Sequence, residues 1–186
     1  MTNSKRISGF PPVATKDARI LILGSMPSVA SLEKQQYYGH PRNAFWKIIF
    51  SVFGVPYIQD YRERCRFLSD HRIALWDVYA SCEREGSLDQ DIRDETFNPL
   101  IDLIHDLPNL QIILCNGSKS YAAFRKYTKT QGIQIPCLQM VSTSPAAARY
   151  TLDQKAEKWT ILLKYAGERN NNNYGRICYG CKTDSE

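Results

Sequence analysis

Short runs of hydrophobic residues recur along this chain, and longer segments with helical spacing lie between them. Four runs rich in Ile, Leu and Val are bounded by turn residues and are predicted to be buried strands: residues 19–23, 73–76, 111–115 and 137–141. They show little apolar/polar alternation, which is typical of a parallel sheet covered on both faces. We therefore predict an α/β fold, a three-layer α/β/α sandwich.

Three segments carry apolar residues at the spacing of an α-helix: residues 45–53, 121–128 and 153–166. Asp153 is the expected N-cap of the last one, and Asn43 is placed to cap the first, which should begin near Ala44. These segments supply the helical layers of the sandwich.

Length and composition fit one globular domain. The chain has 186 residues, of which 43% are hydrophobic, so it can bury a proper core. We expect a single domain over residues 1–166. A polar tail over residues 167–186 contains four consecutive Asn residues and too few apolar ones to pack.

Charge, apolar segments and cysteine content indicate the kind of partner and the cell compartment. A net charge of +5 weakly favours a polyanionic partner. Neither a signal peptide nor an apolar run of about 20 residues is present, so we expect a cytoplasmic protein without membrane contact. Four scattered cysteines fit reduced thiols. Cys178 and Cys181 form a lone C-x-x-C, which belongs either to an inert tail or to intermolecular metal or disulfide chemistry. We predict no metal and no cofactor.

Four loops follow the predicted strands, at residues 24–28, 77–79, 116–118 and 142–149. Because the carboxyl ends of parallel strands meet at one edge, these loops should converge there. Small residues and backbone N–H groups from Ser142 to Ala148, with Arg149, would suit a phosphate group, although an ordinary turn is the alternative. Asp77 is the one carboxylate expected at this edge, with a hydrogen bond inside its own loop.

The segment 35–46 is the most informative in the chain. It brings two tyrosines, His40, Arg42 and Asn43 into one loop containing Gly and Pro. The tyrosines could simply cover the sheet. Together with an amide at Asn116 and a phosphate-binding loop, however, an aromatic face and a second amide are what an enzyme needs to hold an unstacked base.

Five motifs in fixed order carry a resemblance to a known family. They are L-I-L-G-S-M-P-S, Y-Y-G-H-P-R-N-A-F-W-K, L-W-D-V, C-N-G and S-T-S-P-A-A-A. This set resembles the uracil-DNA glycosylase superfamily, and most closely its hypoxanthine (deoxyinosine) branch. The family fold, a central four-stranded parallel sheet between helices, agrees with the pattern above. The resemblance implies a monofunctional glycosylase that hydrolyses the N-glycosidic bond of hypoxanthine, or of uracil or xanthine, flipped out of DNA.

The resemblance also implies roles for individual residues. Asn43 corresponds to the essential amide, and Tyr38 to the ring that stacks on the base. Asn116 would bind the base edge, and Gly24, Ser25 and Met26 would bind the base from a loop that lies beside the sugar and the leaving base. Met26 stands where mismatch-specific relatives carry Asn, so that catalytic route is absent. His40 is either a catalytic group that supports the leaving base or a residue that orders the loop.

A final set of residues is implied to contact the DNA backbone: Ser142, Thr143, Ser144, Pro145, Ala146 and Arg149. Ala146 is small where relatives often insert a bulky wedge, so insertion is weak or Arg149 performs it. The expected partner is DNA with deaminated bases, and we expect a monomer without an obligate protein partner. A non-catalytic DNA- or nucleotide-binding module is the alternative. An unrelated phosphate-ester enzyme would need a nucleophile or metal ligands that the sequence does not show.

Overall fold

The computed structural model describes residues 6–167, which contain seven strands in two sheets. In chain order the strands are β1 (Arg6–Ser8), β2 (Ile20–Gly24), β3 (Ile73–Asp77), β4 (Tyr79–Glu83), β5 (Arg93–Phe97), β6 (Ile112–Asn116) and β7 (Cys137–Met140). The larger sheet has the order β3-β2-β6-β7, and all of its neighbouring strands are parallel. The predicted four-stranded parallel sheet is confirmed, with strand ends within one residue of the predicted ones.

Burial explains why these runs form strands. All five residues of β2 and of β3 are buried, and β6 is buried at four of its five positions. Continuous aliphatic runs are stable in these strands because both faces of the sheet are covered. Strand β3 lies at an edge of the sheet, where Val13 pairs with its Leu75. For the other edge strand, β7, the prediction of burial was wrong, because Leu138 and Gln139 are exposed.

Residues 6–167 contain seven α-helices. They are α1 (Val29–Lys34), α2 (Phe45–Phe53), α3 (Tyr61–Asp70), α4 (Leu100–Asp106), α5 (Ser118–Thr128), α6 (Leu152–Trp159) and α7 (Leu162–Tyr165). Helix α3 packs on β3, α5 packs on β6 and β7, and α2 packs on α6. Phe45 and Trp159 meet edge to face in that last contact, with ring centroids 6.2 Å apart. The predicted α/β/α arrangement is confirmed.

The last predicted helix is in fact two helices. The N-cap is Thr151, not Asp153, because Thr151 and Gln154 form a reciprocal capping box: Thr151 Oγ1 accepts from Gln154 N at 3.2 Å and Gln154 Oε1 accepts from Thr151 N at 3.0 Å. Helix α6 ends at Trp159, and α7 starts after a turn at Thr160.

A second sheet was not predicted. It is antiparallel, with the order β1-β4-β5, and only Val78 separates the end of β3 from the start of β4. The β4–β5 pairing contains two register shifts, so neither strand shows a clean period of two. The connection between them, residues 84–92, reaches the carboxyl edge of the large sheet and contributes to the site described below.

Two further expectations concern the ends of the chain and the membrane. From residue 168 onward the predicted tail, with Cys178 and Cys181, lies outside the described residues, so the proposed domain boundary stays a prediction. Across residues 6–167 no helix combines the length and apolar character that a bilayer span requires.

Candidate active site

A cleft of about 290 Å³ lies at the carboxyl ends of β2, β3 and β6. All four predicted loops reach it, as do both tyrosines and Asn43 of the segment 35–46. Its lining residues are Gly24, Ser25, Met26, Pro27, Ser28, Ser31, Tyr37, Tyr38, Asn43, Asp77, Ser87, Leu88, Asp89, Asn116, Ser142, Thr143, Ser144, Ala146 and Ala147. Residues distant in the sequence thus share one concave site where open α/β sheets bind ligands.

Tyr38 forms part of the cleft wall. Its ring stacks on Phe45, with centroids 3.9 Å apart and planes inclined by 20°. Its backbone has a φ of +54°, in the left-handed region that most residues avoid. Next to it, Tyr37 is buried, and its carbonyl oxygen accepts from Trp46 Nε1 at 2.9 Å. These contacts hold the ring of Tyr38 in place against helix α2.

Asn116 links three parts of the site. Its amide nitrogen donates to Tyr38 Oη at 3.1 Å and to Thr143 Oγ1 at 2.9 Å, and its Oδ1 accepts from Thr143 N at 2.9 Å. Both amide hydrogens are therefore used inside the protein. A carbonyl oxygen has two lone pairs, so Oδ1 keeps one acceptor position for a ligand.

Asn43 was expected to cap helix α2, but the N-cap is Ala44, which makes no side-chain capping bond. Asn43 lies just before that cap. Its Oδ1 accepts from Phe45 N at 3.0 Å, which orients the side chain, and α2 begins at Phe45. The amide nitrogen of Asn43 is not bonded to any other residue in the part of the chain that the structure describes. Asn43 also lines a second, adjoining cleft of about 520 Å³. Asn43 can therefore be oriented by the start of helix α2 and still face the main cleft.

His40 faces the second cleft rather than the first. Its Nδ1 accepts from Arg42 N at 3.1 Å, a contact that stabilises the loop. The second cleft is also lined by Lys34, Lys47 and Arg64. Of its two predicted roles, loop ordering is the one with a contact in this structure.

The loop after β7 is held by hydrogen bonds at several points. Thr143 is fully buried, and its carbonyl oxygen accepts from Ala44 N at 3.0 Å. Ser142 Oγ accepts from Ser144 N, and Ser144 Oγ accepts from Ala146 N, each at 3.2 Å. Lys155 Nζ lies 3.4 Å from the carbonyl oxygen of Ser144. The loop therefore has a defined shape along one side of the cleft.

Two of the residues predicted to contact the DNA backbone lie outside this wall. Pro145 and Arg149 are exposed and do not line the cleft, whereas Ser142, Thr143, Ser144 and Ala146 do. The guanidinium of Arg149 lies over the ring of Tyr150, 5.7 Å from its centroid. Arg149 is thus placed at the exposed margin of the loop.

The loop 24–28 forms the opposite wall. Ser25 Oγ donates to Asp89 Oδ1 at 2.6 Å, and the carbonyl oxygen of Pro27 accepts from Arg84 Nη2. Met26 is buried, with 7% of its surface exposed, and its side chain lines the cleft. The connection between β4 and β5 thus braces the loop that was expected to lie beside the sugar.

Asp77 and Asp89 make the cleft partly acidic. Burial of Asp77, with a smaller contribution from Asp89, raises the pKa of the Asp77 carboxyl to about 7, while Arg84 opposes the shift. The expectation of one carboxylate at this edge was wrong, because Asp89 lines the cleft as well. Asp89 lies 64 residues from Ser25, and no local pattern marks the contact. Within residues 6–167 no three His, Cys, Asp or Glu side chains gather where they could hold a metal ion.

Comparison with known proteins decides the family. The family model of the uracil DNA glycosylase superfamily matches residues 11–165. This chain belongs to that superfamily. The superfamily membership inferred from the five motifs is confirmed, and the matched range contains every residue lining the cleft.

Two curated relatives in the superfamily are similar over most of their length. A hypoxanthine DNA glycosylase of Methanosarcina barkeri is 36% identical over 157 residues, which is 84% of this chain and 97% of the relative. A hypoxanthine DNA glycosylase of Methanosarcina acetivorans is 36% identical over 159 residues, covering 84% and 98%. Both are named for the branch that the motifs indicated.

A solved structure supports the fold. The solution NMR structure of a candidate uracil DNA glycosylase from Methanosarcina acetivorans superimposes with a TM-score of 0.73 at 34% identity. The match covers 87% of this chain and 99% of that protein. The four-stranded sheet and its helices are thus shared within the superfamily.

Proposed function

We propose that this chain is a monofunctional DNA glycosylase that hydrolyses the N-glycosidic bond of a deaminated base, hypoxanthine before uracil or xanthine, and leaves an abasic site. Membership of the superfamily and the names of the two relatives support the reaction class. The observation that carries the proposal in this chain is that Tyr38 and Asn43 line one cleft at the carboxyl edge of the sheet.

The cleft offers an aromatic surface to an extruded base. Tyr38 is supported from behind by Phe45, so its ring need not reorganise to receive a base. Extruding a nucleotide costs a few kcal/mol and costs least for a mispaired base. Damaged pairs are therefore favoured at the extrusion step, before the glycosidic bond is cleaved. A prepositioned ring strengthens binding of the base once it is extruded.

Asn116 can discriminate among bases through its remaining acceptor position. Hypoxanthine and uracil carry an N–H next to a keto group, and that N–H can donate to Asn116 Oδ1. Adenine and cytosine present an unprotonated nitrogen at the corresponding position, which would face the oxygen without a hydrogen bond. Loss of a buried hydrogen bond costs about 1–3 kcal/mol, so one such contact favours the deaminated base.

Asn43 is the proposed catalytic residue. Its carboxamide can hold a water near C1′ with the carbonyl oxygen and donate to the departing base with the amide nitrogen. The bond from Phe45 N fixes this group before substrate binds, so little reorganisation accompanies the reaction. A prepositioned group of this kind contributes about 2.7–4 kcal/mol.

DNA binding completes the proposal. The loop Ser142 to Ala147 offers hydroxyl and backbone groups on the side of the cleft, and Arg149 at its margin can contact phosphate. We propose that the protein acts as a monomer in the cytoplasm without an obligate protein partner. His40 contributes by ordering the loop that carries Asn43.

The test is base release by Asn43→Ala. A duplex containing deoxyinosine is incubated with protein and then treated with alkali, which cuts the strand at abasic sites. We expect the single-turnover rate to fall by about 10²–10³-fold, because one prepositioned group is lost. Asn109→Ala is the matched control, since Asn109 is exposed just before β6, at the opposite edge of the sheet.

Two outcomes would contradict the assignment. If Asn43→Ala keeps the wild-type rate while thermal unfolding shows an intact fold, Asn43 is not the catalytic amide. If the wild type binds duplexes in a salt-dependent way but releases no base from deoxyinosine, deoxyuridine or deoxyxanthosine, the protein is a binding module. The small Ala146 at the cleft, without a bulky wedge, is the feature that favours this second function.

A further inference from the structure

The carboxyl group of Asp77 is buried at the cleft without a full set of partners. Only 3% of the residue is exposed, and Oδ2 has no hydrogen-bond partner among residues 6–167. A buried carboxyl oxygen without a partner is costly, so it is rare in folded proteins unless a ligand completes it. Asp77 is also one of the residues that line the cleft, so its carboxyl lies in the wall against which a ligand would bind.

Gly24 places the Asp77 carboxyl beside Tyr38. Gly24 and Asp77 are paired in the β2–β3 register. A Cβ on Gly24 would lie closer than 3.0 Å to Asp77 Oδ1 and 3.1 Å from Tyr38 Oη. The carboxyl therefore occupies the space that the missing side chain leaves, on the same face as the tyrosine hydroxyl. It lies next to the ring on which we place the extruded base.

The main chain of Asp77 is held on both sides. Its carbonyl oxygen accepts from Asn98 Nδ2 at 2.8 Å, and the following residue, Val78, donates its N–H to the carbonyl oxygen of Gly24 at 2.9 Å. The backbone position from which the carboxyl projects is therefore fixed by the end of the sheet.

Burial and the charge of Asp89 favour the neutral form of Asp77. Asp89 repels the carboxylate, and Arg84 attracts it but donates to the carbonyl oxygens of Pro27 and Gly86 rather than to Asp77. Tyr37 and Tyr38 are the other titratable groups facing it, and burial raises the pKa of both phenols, so they stay neutral. Burial is the main cause that raises the pKa of Asp77 to about 7; repulsion by Asp89 adds to it, and Arg84 opposes it.

We propose that Asp77 is a second catalytic residue: its protonated carboxyl contacts the extruded base and donates a proton to a ring nitrogen of a purine as that purine leaves. This inference rests on the glycosylase activity proposed above. It assigns Asp77 a role in leaving-group activation, which is distinct from the role of Asn43.

The step balances as follows. The C1′–N9 bond breaks, and its electron pair leaves with the base. The Asp77 O–H bond breaks, and its proton forms an N–H bond at N7 or N3, so hypoxanthine departs as a neutral molecule. Water forms the new C1′–O bond and gives one proton to the Asp77 carboxylate. The sum is DNA plus water to abasic DNA plus free base, with the carboxyl restored.

This chemistry favours purines over pyrimidines. A purine has ring nitrogens N3 and N7 with lone pairs apart from the glycosidic nitrogen, whereas uracil has no second ring nitrogen with a free lone pair. Proton donation by a positioned acid contributes about 10²–10⁴-fold. Asp77 therefore gives a physical reason for a preference for hypoxanthine over uracil in this cleft.

The test compares Asp77→Asn with wild type on three duplexes, containing deoxyinosine, 7-deazadeoxyinosine or 3-deazadeoxyinosine. Asn keeps the size of the side chain but cannot transfer a proton. On deoxyinosine we expect the single-turnover rate to fall by about 10²-fold or more. On the analogue that lacks the accepting nitrogen, the wild-type and variant rates should converge. Exposed Asp102 supplies the control, Asp102→Asn.

The wild type alone provides an independent measurement. Because the donor is the protonated carboxyl, its rate on deoxyinosine should decline as the pH rises through about 7. The wild-type rate on one of the two deaza analogues should not show this decline. The comparison needs no variant, so it remains valid even if Asp77→Asn fails to fold. Equal wild-type-to-variant ratios on all three duplexes, or the same pH profile on all three, overturn the role of Asp77. No release by the wild type from deoxyinosine overturns the proposed function itself.

Discussion

Replacement of Gly24 by Ala tests the packing on which the site depends. The new methyl group would lie closer than 3.0 Å to Asp77 Oδ1 and 3.1 Å from Tyr38 Oη. Neither group can retreat easily, because Asp77 is held at the end of β3 and Tyr38 is held between Phe45 and Asn116. The variant therefore overpacks the floor of the cleft.

The expected cost follows from overpacking a filled site, about 1–3 kcal/mol. For a chain of this length each kcal/mol lowers the melting temperature by about 2–4 °C, so the loss should be about 2–12 °C. Base release should fall as well, because the side chains of Asp77 and Tyr38 are displaced from the positions that we assign to the base.

A double-mutant cycle isolates the cause. Asp77→Ala removes the closer of the two groups that the new methyl group would meet, so Gly24→Ala should cost clearly less in that background, where only the contact with Tyr38 Oη remains. Thermal or urea unfolding of the four proteins measures the coupling. An equal loss of stability from Gly24→Ala in both backgrounds would refute the reasoning, because the conflict would then lie elsewhere.

Two further predictions concern stability. The pKa of Asp77 is about 7 in the folded protein and about 3.9 in the unfolded chain. Between these two pH values the native state binds more protons than the unfolded state. The stability of the native state therefore falls as the pH rises from about 3.9 to about 7. Relative to Asp77→Asn, the wild type should lose up to about 4 kcal/mol between pH 4 and pH 8, and a pH-independent difference in urea unfolding would contradict this. Thr151→Ala removes the capping box of α6 and should cost about 1 kcal/mol, measured as a lower melting temperature; an unchanged value would show that the cap contributes nothing.

Local patterns were sufficient for the large sheet. Strands β2, β3 and β6 are continuous aliphatic runs, and burial on both faces makes such runs recognisable without knowledge of their partners. The second sheet had no such signal. Strand β5 reads R-D-E-T-F, and its pairing with β4 includes register shifts, so its structure depends on a neighbouring strand rather than on its own apolar pattern.

For the site too, some features follow from the sequence and others depend on tertiary contacts. The sequence determined which loops meet, because parallel strands bring their carboxyl ends to one edge. The motifs predicted a shared site for Tyr38, Asn43 and Asn116, and all three line the cleft. Only the tertiary structure decided how their polar atoms are used. Asn116 directs both amide hydrogens to residues 78 and 27 positions away, and Asp89 reaches Ser25 across 64 positions. Contacts at such separation leave no periodic trace in a sequence, since periodicity reports only local geometry. The position of the Asp77 carboxyl, beside Gly24 and Tyr38, likewise depends on residues distant in the sequence.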